Sequence, residues 1–346
     1  MLHSTPTSDG SIPVPPGPHS WLWKLEEVTD WPAIIAKHKA LGFAGAHAHA
    51  SGSVLRRVLT PALRHRWEDA GLHFGASIAF DTGTKVRGAD GKVVAFTPTA
   101  KEVLRDHVLR CAALLGPGST VGLNWEMAWE RTAVHPARRD DAAWIAESLT
   151  RELAGSGTLL WDAPWWKPSV HGTAPTDEFG AAMAFRVPQT YFTYTFKDPA
   201  TGKSVARQLT APTTFSSRYP FSPCTPAAYM VGTAREQYAA RAVKRPLAWG
   251  FQACDVAGAA AKNGQCLRDY PVTFWWHFLR LYEPANTAAR AVFRVGAIAQ
   301  AAFPGLPYRN AVAAFQTEAG LTPDAWVGPA SVAAARTRFG AAMNGY

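Results

Sequence analysis

The sequence predicts an α/β protein: a (β/α)8 TIM-type barrel followed by a small all-α unit of three helices. Three observations lead there. From residue 21 to about residue 282, short apolar runs alternate with amphipathic stretches. The helical stretches close on a glycine, as at Gly42, Gly71, Gly116 and Gly155, and an apolar run follows. Glycine ends a helix cheaply because it accepts the left-handed conformation, and a repeated helix–glycine–strand order is what parallel β/α architecture produces. Lastly, the tail VAAFQTEAGLTPDAWVGPASVAAA (312–335) reads as two short helices joined by a turn.

In chain order the strand candidates are WLWKL (21–25), FAGAHAHA (43–50), LHFGASIAF (72–80), TVGLNWEMAW (120–129), TLLWDA (158–163), AFRVPQTYF (184–192), PLAWGFQA (246–253) and VTFWWHFL (272–279). Helices are expected over 32–41, 61–70, 98–115, 140–154 and 225–243. Residues 197–223 form a Thr/Ser/Pro-rich insertion. Eight strands in roughly 260 residues suit a closed barrel. A doubly wound open sheet would want a Gly-rich phosphate loop after its first strand, and none is there.

In the tail, a helix over about 287–303 precedes one that runs to Ala319. Gly320 ends that second helix and Leu321 packs back onto it. Thr322-Pro323-Asp324 makes a turn, and Gly328-Pro329 starts the last helix. Val312, Phe315, Ala319, Leu321, Val327 and Val332 would close a small apolar core. The organisation expected is a Pro/Gly/Ser leader without fixed structure (1–19), a barrel (20–284) and a helical domain (285–346).

At 47% hydrophobic, the 346-residue chain can bury a large core. Its formal charge of +9 favours polyanionic surroundings. No Lys/Arg block or nucleic-acid motif accompanies the charge, so nucleic acid is not an expected partner. No stretch suits membrane insertion, since Arg290 and Arg294 interrupt the best candidate. The first twenty residues lack the basic and apolar regions of a secretory signal. The four cysteines follow no metal spacing; Cys254 and Cys266 flank an expected Gly/Ala/Asn loop and could pair in an oxidising compartment.

In a barrel the active site lies where strands enter the following loops. Those positions carry Trp23, His47, His49, Asp81, Asn124, Glu126, Asp162, Trp165, Trp166, Gln189, Tyr191 and Gln252. Carboxylates and amides among aromatic rings, with few cations, suit a hydroxyl-rich, ring-shaped substrate, which means a carbohydrate. Asn124 and Glu126 are two apart on a strand and share a face. Glycosidic cleavage needs a carboxylic acid to protonate the leaving oxygen, and Glu126 is the candidate. Asp162 or Asp81 is the candidate second carboxylate. Trp165 and Trp166 would stack on sugars. Asn124, Gln189, Tyr191, Gln252, His47, His49 and Trp23 would line the cleft. Glu130, with Arg131 beside it, reads as a solvated loop charge. His47 and His49 also form an H-x-H pair of the kind that holds a catalytic metal, but the middle strands offer no further His in line. No metal or organic cofactor is therefore expected.

FQTEAGLTPDAWVGPAS resembles the peptidoglycan-binding module found at the ends of many wall hydrolases. That family's pattern falls here on Phe315-Gln316, Gly320-Leu321, Asp324, Gly328-Pro329 and Ser331, with Ala325 where glycine is usual. The resemblance implies wall contact through Phe315, Gln316, Asp324 and Trp326. SWLWKLEEV and GFAGAHAHASG are similar to the opening of glycosidase-like barrels in bacterial and phage proteins. NWE resembles the D-x-E end of the fourth strand in chitinase-like and lysozyme-like barrels, with Asn124 where those carry Asp, and VPQTYF is similar to their sixth strand.

These resemblances imply a monomeric hydrolase of β-1,4 bonds in bacterial peptidoglycan, of endolysin type. It would act at the cell wall after release through a holin, injection or another export route. A metal-dependent amidase or deacetylase built on His47 and His49, and a non-catalytic wall-binding phage protein, are the alternatives.

Overall fold

The computed structural model describes residues 11–22, 25, 28, 30–50, 59–80, 83–91, 93–125, 129–130, 137–190, 193–197, 204–208, 226–252, 259–276, 278–282, 286–344 and 346. In chain order its strands are β1 (Gly17–Leu22), β2 (Gly45–Ala50), β3 (His73–Ala79), β4 (Gly83–Arg87), β5 (Val93–Pro98), β6 (Thr120–Asn124), β7 (Leu159–Asp162), β8 (Phe185–Arg186), β9 (Thr193–Lys197), β10 (Ser204–Gln208), β11 (Trp249–Gln252) and β12 (Val272–Trp276). The helices are α1 (Trp31–Ala40), α2 (Pro61–Asp69), α3 (Lys101–Leu115), α4 (Arg139–Glu152), α5 (Thr176–Gly180), α6 (Pro226–Ala239), α7 (Ala259–Asp269), α8 (Thr287–Ala302), α9 (Tyr308–Glu318) and α10 (Pro329–Phe339).

Eight strands form one parallel sheet in the order β11-β12-β1-β2-β3-β6-β7-β8. Parallel bridges Arg186↔Leu247 and Gln189↔Gly250 join its two ends, so the sheet curls into a barrel. Side chains alternate across it. Trp21, Trp161, Phe185, Val187, Ala248 and Phe274 form the inner cluster. Leu22, Ala46, Phe74, Ile78, Val121, Leu123 and Leu160 belong to the outer one, which packs under the helices. The interior is full because large rings face positions without side chains. A Cβ on Gly122 would lie 2.2 Å from the Trp161 ring, and one on Gly75 would lie 2.1 Å from Thr120 Oγ1. Proline starts α2, and Thr60 Oγ1 accepts from the Leu63 amide at 3.1 Å. Gly42, Gly71, Gly116 and Gly155 all have positive φ, as the helix–glycine–strand pattern predicts.

Several expectations are corrected. β1 begins at Gly17, inside the stretch read as an unstructured leader. Val14 fills the inner cluster, and His19 Nε2 donates to the Pro15 carbonyl at 2.8 Å. Proline-rich composition marks a chain that avoids helix, and here it makes a plug. Two antiparallel hairpins, β4–β5 and β9–β10, follow the third and sixth barrel strands; the second lies partly in the insertion. Where a loop between Cys254 and Cys266 was expected, residues 259–269 form α7, which carries Cys266. Cys266 is buried on α7, and Cys254 is outside the described residues.

The three tail helices are present, but the boundary at residue 284 cuts through packed contacts. Phe293 of α8 stacks on Phe43 at 5.1 Å and meets Trp275 edge-on at 5.0 Å. Arg294 Nη1 donates to the Ala40 carbonyl at 2.8 Å. Thus α8 covers the outer face of the barrel, and the tail shares its apolar core. Phe315 and Gln316, expected at a wall-contacting surface, are buried. Gln316 Nε2 donates to Asp324 Oδ1 at 2.8 Å and to the Trp326 carbonyl at 2.9 Å, while its Oε1 accepts from the Ala325 amide at 2.7 Å. Gln316 thus holds the turn; Asp324 is exposed and Trp326 half-buried.

Among the described residues, Ala325 is the non-glycine residue with positive φ, at 60°. A left-handed alanine is strained by about 1–2 kcal/mol, offset in part by its lower unfolded-state entropy. Ala325→Gly is expected to stabilise the protein by roughly 0.5–1 kcal/mol. Thermal denaturation measures this, and a lowered melting temperature would count against the turn geometry.

Candidate functional site

The carboxyl ends of the strands gather a ring of polar groups inside the barrel. Gly122 faces the inner Trp161, so Asn124, two residues on, also faces inward. Gln189 Nε2 donates to Asn124 Oδ1 at 2.9 Å and to the Ala163 carbonyl at 2.8 Å. The two amides thus fix each other across the mouths of β6 and β8. On the other side, His49 Nδ1 lies 3.4 Å from Ser77 Oγ, which also accepts from Trp21 Nε1. Asn124, Gln189 and His49 are 9%, 8% and 5% exposed. They form the floor of a site rather than its open walls.

Not every expected residue joins them. Glu126, Asp81, Tyr191 and Trp23 lie outside the described residues, as does the side chain of Gln252, which ends β11. Asp162 is described, and its expected role is corrected. Trp161 points into the barrel, so Asp162 points out toward the helices. Its Oδ1 and Oδ2 accept from Arg186 Nε at 2.9 Å and Nη2 at 2.5 Å, and Trp125 Nε1 donates to Oδ2 at 3.2 Å. Both partners of this ion pair are fully buried. Arg186 Nη2 also donates to the Thr176 carbonyl at 2.7 Å, tying α5 to the sheet. A carboxylate so committed balances a buried charge; it does not activate water in the barrel mouth.

His47 and His49 have different settings. His47 lies deeper, fully buried, with ring centroids of His19, His73, Trp161 and Phe274 between 4.9 and 5.5 Å away. It sits below the site rather than lining it. Burial, and then His73 and His19, holds its imidazole well below the usual range. Burial pushes His19 and His49 down to about 3, and His73 to about 4. Among the described residues, no group of three His, Cys, Asp or Glu side chains is placed to hold a metal ion, and no helix is long and apolar enough to cross a membrane.

Trp165 follows β7, and its backbone bridges in parallel to Gln189. Its Nε1 donates to Glu130 Oε1 at 2.8 Å, and His171 Nδ1 donates to the same oxygen at 2.8 Å. The two rings stack at 4.5 Å with an angle of 10°. Glu130 reads in the sequence as a solvated charge, yet its side chain is only 13% exposed. A carboxylate with Trp165 and His171 in reach was the missed arrangement, and no spacing within the chain signals it. Trp165 and Trp166 are both half-buried and pack against the outer core.

No protein-family model matches the chain, and no curated protein matches it in sequence. Among solved structures, the spore cortex-lytic enzyme SleL of Bacillus megaterium QM B1551 is similar with a TM-score of 0.40 at 9% identity, covering 69% of this chain and 51% of that one. This chain therefore spans about half the length of the spore enzyme. A GH18 chitinase from Pseudoalteromonas aurantia is similar with a TM-score of 0.43 at 10% identity, covering 80% and 98%. Rubisco from Pyrococcus horikoshii OT3 is similar with a TM-score of 0.40 at 8% identity, covering 82% and 60%. That spread of chemistries assigns no activity to this chain.

Two outcomes follow from the buried charges. Asp162→Asn strands Arg186 and is expected to cost about 3–5 kcal/mol, while the double replacement Asp162→Leu/Arg186→Met recovers most of it. Urea denaturation reads both; an Asp162→Asn protein as stable as wild type would contradict the buried pair. The histidines make stability depend on pH. In the unfolded chain they take up protons near pH 6.5, whereas the folded values lie at about 4 and below. Their stabilising neutrality is therefore complete above pH 6.5 and is lost as pH falls toward 4. Each contributes a slope of about 1.4 kcal/mol per pH unit in that window. The urea midpoint should drop between pH 7 and pH 5, less steeply in His47→Leu; a flat midpoint would mean the histidines charge in place.

Proposed function

We propose that this protein is a glycoside hydrolase that cuts β-1,4 bonds in bacterial peptidoglycan. The supporting observation is the inward-facing, mutually fixed pair Asn124–Gln189 at the strand ends, with Asn124 two residues before Glu126 in the chain. An uncharged amide floor suits hydroxyl and N-acetyl groups of an amino sugar. Glu126, two residues beyond Asn124, would act as the general acid that protonates the leaving oxygen. With Asp162 committed to Arg186, Asp81 is the remaining candidate for the second carboxylate. His49, kept neutral by burial, would serve as a hydrogen-bonding group rather than a charge.

Bacterial peptidoglycan is the partner that the tail's resemblance to a wall-binding module suggests, and the basic charge fits that anionic envelope. With Phe315 and Gln316 buried, wall contact in this reading falls to Asp324 and the half-buried Trp326. A tail packed on the barrel would hold substrate at a fixed offset from the site, a stricter arrangement than a flexible tether.

Digestion of purified peptidoglycan by wild type and Glu126→Gln tests the reading, with new reducing ends and new free amines assayed together. Reducing ends from wild type, reduced at least 100-fold in the variant, are expected. Free amines without reducing ends would point instead to an amidase. Wall binding with neither product would leave a binding protein on a silent barrel.

A further inference from the structure

We propose that Trp165 is a glycan-stacking platform whose ring is set by Glu130 and His171, two positioning residues outside the strand-end ring. The inference rests on a glycan being the ligand, as in the proposed function, and deepens it by naming how one sugar subsite is built.

The geometry is that of a clamp. One oxygen of Glu130 accepts from Trp165 Nε1 and from His171 Nδ1, each at 2.8 Å. A carboxylate oxygen can take two donors, and charge-assisted bonds to it are the stronger kind. Both rings are thereby held nearly parallel and stacked, 4.5 Å apart. The backbone is pinned as well: Tyr238 Oη donates to the Trp165 carbonyl at 2.7 Å. The bridge between Trp165 and Gln189 connects the platform to the amide pair on the barrel floor.

His171 covers one face of the indole and part of the ring packs on the outer apolar core, so a pyranose ring would meet the portion that stays exposed. Trp165 also packs against the outer apolar core, so the carboxylate clamp adds orientation to a ring that packing already seats. Shielding a carboxylate from water is costly, and apolar packing would hold a rim tryptophan without it. Here the shielded Glu130 holds a ring that stays partly exposed. Preorganisation is the physical return: a ring already fixed loses less entropy when a ligand lands on it.

The test is binding of a soluble N-acetylglucosamine tetramer to the full chain, by calorimetry, with circular dichroism confirming the fold of each variant. Trp165→Ala should weaken binding about tenfold, the loss of one good ring contact. Glu130→Gln keeps an oxygen that can accept both N–H groups, so it should bind within about twofold of wild type, whereas Glu130→Ala should lose about fivefold. Should Trp165→Ala fail to fold, Trp165→Phe keeps a flat ring without the indole N–H and should bind several-fold more weakly.

If the tetramer is cleaved, KM should rise in Trp165→Ala and Glu130→Ala while kcat stays close to wild type. Folded Trp165→Ala or Trp165→Phe binding as tightly as wild type would overturn the platform. Glu130→Gln losing as much as Glu130→Ala would overturn the orienting role of the carboxylate. A wild type that binds the tetramer but releases no reducing ends from it or from peptidoglycan leaves the platform standing and removes the hydrolase; a wild type that does not bind removes the platform.

Discussion

A barrel closed by parallel strands forces each strand residue to face one of two layers. The inner layer is filled by rings set against glycines, as with Trp161 over Gly122. The outer layer is the apolar seat of the helices. Everything else about the molecule depends on this sorting. It decides that Asn124 looks into the barrel while its neighbour Trp125 looks out, and that Trp161 looks in while Asp162 looks out. A carboxylate that enters the outer layer must find a cation there, and Asp162 finds Arg186, itself on the outward face of β8. The same alternation that disqualifies Asp162 from chemistry makes it a fastener between sheet and helix α5.

The inner layer is also unusual in its polar content. His19, His47 and His73 lie within 5.8 Å of one another by ring centroid, below the amide floor. Their neutral state lets imidazoles behave as flat packing units in the company of Phe274 and Trp161. The N-terminal plug closes this end, with Val14 in the inner cluster and Pro15 accepting from His19. The opposite end stays polar. Asymmetry of this sort separates a stability face from a functional face in such barrels.

At the tail, the glutamine of the Phe-Gln pair is used structurally. Gln316 satisfies donors and acceptors of the turn from Asp324 to Trp326, and Ser331 Oγ lies 3.2 Å from its Nε2. The turn therefore depends on a buried amide, and a motif that reads as a recognition signature is first a folding device. Its surface is what any ligand would meet. With α8 packed against Phe43 and Trp275, that surface is carried by the barrel itself.

Local pattern in the chain set out the β/α alternation, the eight barrel strands, the glycine caps and the three tail helices, but not the hairpins β4–β5 and β9–β10 or helices α5 and α7. Each of the former is written in local pattern: period, propensity and the φ that a given residue tolerates. The sequence also reads Asn124 and Trp125 as facing opposite sides of the sheet. What tertiary structure alone decided was which layer Asp162 occupies, that Glu130 is shielded by Trp165 and His171, that residues 11–16 plug the barrel, and that α8 belongs to the barrel wall. These turn on pairs distant in the chain: Asp162–Arg186, Glu130–Trp165 and Glu130–His171 are 24, 35 and 41 residues apart, and Arg294–Ala40 is 254 apart. No local pattern encodes such a meeting, because it exists only once the sheet has closed and brought the strand ends to one rim.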